Sequence, residues 1–168
     1  MKLRDVTSLD HTWLVELHND PSVLDHTRDP RPITINHHMS WWNKIVDDEN
    51  EIRLIFDVND ERVGFAKIYS IDRYNKHCIL GADIHPTFRG KGLAKFMWTL
   101  ILEKCFDELN LNRVGLSVVE TNVVAKCVYD KLGFIEEGII KDCHFRKDKF
   151  YDAVCMYMLQ SHWNERQK

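Results

Sequence analysis

The run Arg89-Gly90-Lys91-Gly92 sets two cations among two glycines, and from Leu93 the apolar residues Leu93, Phe96, Met97, Leu100 and Ile101 fall at helical spacing. A strand-like run, Lys76 to His85, stops at Pro86 just before it. A strand, a glycine-rich loop and a helix start make a place for an anion. The first N–H groups of a helix have no partner within it and carry partial positive charge. Glycines let the backbone approach the anion closely and take positive φ. A dinucleotide fingerprint would need glycine at Lys95, and a P-loop would need Gly-Lys-Ser/Thr, so the stretch is neither. A second candidate pair lies downstream. Asn122 and Tyr129 are seven residues apart, close to two helical turns, so both can line one wall of a cleft. The blander alternative makes Asn122 a helix N-cap and Tyr129 a half-buried amphipathic residue.

The elements that must position these residues read as a mixed α/β chain. Ser8 to Asn19 predicts a helix with Ser8 as cap and Leu9, Trp13, Leu14 and Leu17 as its stripe. A short helix over Ser22 to His26 follows Pro21, and Asp29-Pro-Arg-Pro32 is irregular. A helix from about Asn36 to Asp48 puts His38, Trp41, Trp42 and Ile45 on much of one face. Strands are expected over Glu51–Val58 and Arg62–Ile71, turning at Asn59-Asp60, then over Lys76–His85. The helix from Leu93 ends near Asn110. A strand over Arg113–Glu120 leads to a helix over Asn122–Leu132, stopped by Gly133. Strands over Phe134–Phe145 and Lys149–Leu159 close the order, and the tail after Gln160 is polar apart from Trp163.

With 168 residues the chain is expected to be a single domain, residues 1–168, able to bury a core. A net charge of −3 gives no basic field for nucleic acid, and the mixed run Lys141 to Lys149 reads as a solvated hairpin end. Five cysteines, none in a C-x-x-C pair, read as reduced thiols. No apolar run approaches the roughly 18 residues of a membrane span, and the N-terminus lacks the apolar core of a signal peptide. A cytoplasmic protein without membrane partners is expected. His26, His37 and His38 match no metal-ligand spacing, so no metal is expected.

Two motifs together carry a resemblance. Arg89-x-x-Gly92-x-Ala94 matches the Arg/Gln-x-x-Gly-x-Gly/Ala loop of the GNAT N-acetyltransferases, and Asn122-x-x-Ala-x-x-x-Tyr129-x-Lys-x-Gly-Phe134 is similar to that family's second hallmark, in the right order and spacing. The resemblance spans roughly Leu3 to Leu159. His18-Asn-Asp-Pro-Ser-Val23, Gly133-Phe-Ile-Glu-Glu-Gly138 and Phe150-Tyr-Asp-Ala-Val-Cys-Met156 look like the branch holding ribosomal-protein N-terminal, spermidine and nucleotide-amino-sugar acetyltransferases. The fold implied is a mostly antiparallel central sheet with one splayed strand pair and flanking helices. The co-substrate implied is acetyl-CoA, with Ile84 and the loop Arg89, Gly90, Lys91, Gly92, Leu93 and Ala94 holding it and Asn122 bonding its pantetheine or phosphate arm. Tyr129 would protonate the departing thiolate, and a strand N–H near Ile84 or His85 would stabilise the carbonyl oxygen. Asp83 and His85, alternate residues on one strand face, and Glu120 at the end of the neighbouring strand are the candidates for a base.

For the acceptor the family points to the helix carrying His38 and Trp41; Tyr151 and Asp152 in the last strand are further candidates for placing the amine. The tryptophans could equally pack that helix on the sheet. A small molecule such as a nucleotide-linked amino sugar is the favoured acceptor, since ring faces suit a sugar or base. A protein N-terminus or a polyamine is the alternative, the latter supported only by the acidic run Asp47, Asp48, Glu49 and Glu51. A CoA-binding module without catalysis is a further possibility. Monomer and homodimer both stay open.

Overall fold

In the computed structural model, which describes residues 1–167, seven strands form one sheet. They are β1 (Lys2–Asp5), β2 (Ile52–Val58), β3 (Glu61–Asp72), β4 (His77–Ile84), β5 (Arg113–Val119), β6 (Ile135–Arg146) and β7 (Lys149–Leu159), in the order β1-β2-β3-β4-β5-β7-β6. Every neighbouring pair is antiparallel except β4 with β5. The helices are α1 (His11–Asn19), α2 (Pro21–Leu24), α3 (Ile35–Ile45), α4 (Leu93–Glu103), α5 (Val123–Leu132) and α6 (Gln160–Arg166). This is the mixed, mostly antiparallel architecture expected.

Local chemistry explains most boundaries. Asn59 and Asp60 turn β2 into β3 with positive φ at both, which suits the right-handed twist of a hairpin. Gly133 takes φ 96° and ends α5, its N–H bonding to Tyr129 O at 3.0 Å. The helix begun at Leu93 loosens at Glu103 into a π turn over Lys104–Glu108. Two elements differ from the sequence reading: β1 and α6 were not anticipated. β1 has four residues, too few to show a period, and becomes a strand through its pairing with β2, Leu3 opposite Phe56. The start of α1 also differs. Ser8 does not cap it; Asp10 stands at the cap position, fully buried. Its carboxylate accepts from Arg4 Nη1 at 2.7 Å, Arg62 Nε at 2.7 Å and Thr7 N at 2.8 Å, tying the helix to β1 and β3. Burial alone would raise the Asp10 pKa, but the bonds from Arg4 and Thr7 outweigh it and hold the group ionised well below the usual carboxylate range.

The two faces of the sheet differ in a way that places the site. On β3, Ala66 and Ile68 join the main core with Met97, Trp98, Ile101 and Leu102 of α4. The alternate residues Phe65 and Lys67 face the other way, towards α1–α3. At the far end, β6 is an edge strand with Ile139, Ile140 and Phe145 about half exposed. No described helix is long and apolar enough to cross a membrane.

Candidate active site

The parallel pairing of β4 with β5 lasts only three positions: His77 with Arg113, Cys78 with Val114 and Ile79 with Gly115. Beyond Ile79 the strands diverge, while β4 stays paired with β3 as far as Ile84. His85 N–H bonds to Val63 O at 2.9 Å, on the β3 side. Backbone groups alternate sides along a strand, so those of Ala82 and Ile84 face the gap. The His85 N–H is therefore already used, and of the two oxyanion donors considered only Ile84 has its N–H on the open side.

A cleft of about 440 Å³ continues this gap. Asp83, Ile84, Arg89, Gly90, Gly92, Leu93, Ala94, Asn122 and Tyr129 all line it, so nine expected residues converge although they come from two separate stretches. Gly90 and Gly92 have φ of 75° and 74°, the left-handed backbone that exposes successive N–H groups before α4. Two details differ from expectation. Lys91 does not line the cleft; its ammonium lies 5.1 Å over the Phe88 ring. Arg89 donates to Ile84 O through Nε (3.0 Å) and to Ser22 Oγ through Nη1 (2.7 Å), so it braces the loop. Asn122 is the cap of α5, its Oδ1 accepting from Ala125 N at 3.1 Å, and its amide nitrogen remains for a ligand.

Tyr129 is 8% exposed and packs edge-on against Trp98 and Phe134, with centroids 5.0 and 5.8 Å away. Burial, then the Asp83 charge, pushes its pKa above the normal phenol value, so it stays protonated at neutral pH and can donate. Close approach at the end of β4 depends on Gly64. A Cβ there would lie 2.8 Å from Asp83 O and 2.8 Å from Met97 Sδ.

A second cavity, about 370 Å³, opens on the opposite face of the sheet. His38 and Trp41 line it as expected, with His18, His37, Phe65 and Lys67, none of which the sequence assigned to the acceptor. His38 is 4% exposed and its Nε2 is 3.0 Å from His11 Nδ1. Burial, aided by the charges of His11 and His18, lowers its pKa to about 4. Trp42 packs behind the pair, 5.0 Å from the His11 ring, so of the two tryptophans only Trp41 faces the cavity. Val23 and Asp83 belong to the walls of both cavities, and Asp83 is paired with Lys67 at 2.8 Å.

Glu120 and Tyr151 line neither cavity. Glu120 Oε1 accepts from Asp152 N at 3.0 Å, pinning the end of β5 to β7, and Tyr151 pairs with His144 on the outer hairpin. The sequence offered Glu120 as the end of the strand beside β4 and Tyr151 as a polar residue of the last strand, and their partners in β7 and β6 hold both outside the two cavities. The acidic run also lies elsewhere, at the α3–β2 turn, where Asp48 caps Asn50 N and Glu51 pairs with Arg53. No group of three potential metal ligands occurs among the described residues.

Comparison with known proteins accords with this geometry. Spermidine N(1)-acetyltransferase of Vibrio cholerae is 25% identical over 167 residues, covering 99% of this chain and 96% of that enzyme. The Escherichia coli K12 spermidine N(1)-acetyltransferase is 26% identical over 160 residues, 95% of this chain and 86% of that enzyme. A crystal structure of the Vibrio cholerae spermidine N-acetyltransferase in complex with CoA and spermine superposes with a TM-score of 0.92 at 25% identity, covering 97% of each chain. Residues 1–135 match the model of the GNAT acetyltransferase domain. With that match laid over a sheet that splays beside a glycine loop, the chain belongs to the GNAT family of acetyl-CoA-dependent N-acetyltransferases.

Proposed function

We propose that the chain acetylates a primary amine of a polyamine such as spermidine, with acetyl-CoA in the cleft and the amine in the opposite cavity. The observation that carries this reading is that the two cavities share Asp83 and Val23, so a donor and an acceptor entering from opposite faces meet at the end of β4. Acetyl-CoA supplies the acetyl group as a thioester. The glycine loop and the start of α4 receive its phosphates, and the backbone of Ala82 and Ile84 faces its pantetheine amides. The Ile84 N–H bonds the carbonyl oxygen as negative charge develops there. As the new N–C bond forms and the C–S bond breaks, Tyr129 gives its proton to the leaving sulfur. The amine loses its proton towards Asp83 or water beside it.

The polyamine class rests on the relatives, whose names give spermidine or spermine. The amino-sugar acceptor favoured from the ring-bearing helix has no counterpart among them. The cavity contains two carboxylates, Asp29 and Asp83, each beside a neighbouring cation, Arg31 and Lys67. Partly exposed pairs of this kind are weak, and a substrate ammonium can replace either cation. The test is CoA release from acetyl-CoA with spermidine, an amino-sugar nucleotide and an N-terminal peptide in parallel. Turnover with spermidine that Tyr129→Phe lowers about tenfold or more supports the proposal. Turnover with another class alone removes the polyamine reading. CoA binding without turnover on any of the three favours a binding module.

A further inference from the structure

The wall between the two cavities is α2 and the segment after it. Ser22 and His26 face the cofactor cleft, Thr27 and Asp29 face the acceptor cavity, and Val23, 5% exposed, faces both. This wall is four helical residues followed by irregular chain, too short to hold itself rigid. Its outer end is fixed from elsewhere. The Asn19 side chain exchanges two bonds with the Ile33 backbone, both 2.8 Å, and Arg146 of the β6–β7 hairpin donates to Thr27 O. Its inner end is held by one chain of bonds: Asp20 accepts from Ser22 N and Oγ, and Ser22 Oγ accepts from Arg89 Nη1.

Arg89 is the one arginine or lysine lining the cofactor cleft among the described residues. A guanidinium has five N–H donors in a rigid fork. Two are used, on Ile84 O and Ser22 Oγ, and the others remain for an anion beside the glycine loop. A phosphate that engages them fixes the fork, and the fork fixes Ser22. We infer that Ser22 is a positioning residue through which a CoA phosphate on Arg89 orders residues 20–29, the partition that shapes the acceptor cavity. The inference rests on the acetyl-CoA reading of the cleft and adds a link from one cavity to the other. It predicts that an occupied cleft presents a better-formed acceptor site than an empty one, without the acceptor touching the cofactor loop.

The experiment is amide hydrogen exchange on the full chain with and without saturating CoA, for wild type, Ser22→Ala and Ser22→Thr. In wild type CoA is expected to slow exchange at least threefold both at 84–96 and at 20–29. In Ser22→Ala the protection at 84–96 persists and that at 20–29 is lost. Ser22→Thr, which keeps the hydroxyl, restores it. With spermidine as acceptor, Ser22→Ala is expected to raise the acceptor KM threefold or more with kcat within twofold, a split that general loosening of the fold would not give. Protection at 84–96 without any at 20–29 in wild type overturns the link and leaves the acetyl-CoA reading standing. Equal protection of 20–29 in wild type and Ser22→Ala also overturns it. No protection at 84–96 in wild type removes both.

Discussion

The cofactor cleft and the acceptor cavity are built in opposite ways. The cleft takes most of its wall from two unbroken runs, Ala82–Trp98 and Asn122–Tyr129. Each run fixes its own geometry, through left-handed glycines in one and a capped helix in the other. The acceptor cavity takes its wall from α1, α2, α3, β3 and β4, with residues from Leu14 to Asp83. Nothing local holds those residues together; tertiary contacts do, above all the Asp10 cluster and the bonds at Asn19 and Arg146. A site of the first kind tolerates distant change. A site of the second kind is free to vary its chemistry and is sensitive to remote anchors.

The contrast can be broken most strongly at Asp10. Asp10→Ala removes the buried carboxylate that Arg4 and Arg62 share and leaves Arg4 with Asp57 alone, and about 1.5–3 kcal/mol of stability is expected to be lost, read as a drop in the urea midpoint. If the variant remains folded, acceptor KM should suffer more than acetyl-CoA KM. Gly64→Ala comes next, because its Cβ meets Asp83 O and Met97 Sδ at 2.8 Å. A cost of about 1–3 kcal/mol is expected, with kcat/KM falling for both substrates since the end of β4 serves both cavities. Tyr129→Phe should lower kcat about tenfold or more, near 1.4 kcal/mol, with acetyl-CoA affinity unchanged in calorimetry. Asn122→Ala removes a cap worth about 1 kcal/mol and should weaken acetyl-CoA binding while sparing acceptor KM. The smallest effect concerns His38. Its pKa is about 4 when folded, against an ordinary 6.5. Between those values the unfolded chain takes up the proton first, so the stability held above pH 6.5 is lost as pH falls towards 4. At pH 6 the loss is about 0.5–1 kcal/mol by this linkage, and His38→Asn should abolish it in denaturation curves compared at pH 7.5 and 6.

This division also governs what could be read from the sequence. The loop Arg89–Ala94 and the pair Asn122 and Tyr129 were legible because spacing along a helix and glycine φ are local properties. The divergence of β4 and β5 left no local trace, and only the resemblance pointed to it. Lys67 and Phe65 looked like any alternating strand residues. Their role comes from the face of β3 that α1–α3 cover, which the strand period marks but cannot assign. Glu120 and Tyr151 lie outside both cavities for the complementary reason: their types suit catalysis, but Glu120, in the turn after β5, accepts from Asp152 N, and Tyr151 sits opposite His144 on the β6–β7 hairpin. Asp10 was hidden behind Ser8, the more usual cap residue, because its role rests on side-chain pairing with Arg4 and with the distant Arg62, which no helix pattern marks.

The divergence of β4 from β5 has a consequence for how the molecule behaves among its own copies. A strand with unpaired backbone groups is a template for another chain. Here β4 and the end of β5 are bare along the gap, yet they lie inside the sheet, between β3 and β7, where no flat strand from a neighbour can reach both. The stickiest backbone is thereby kept away from other chains and left to a narrow, flexible molecule able to thread the gap. The outer edge at β6, with Ile139, Ile140 and Phe145 uncovered, has no such shelter. Self-association in a concentrated solution should therefore begin at β6 and leave the opened sheet untouched.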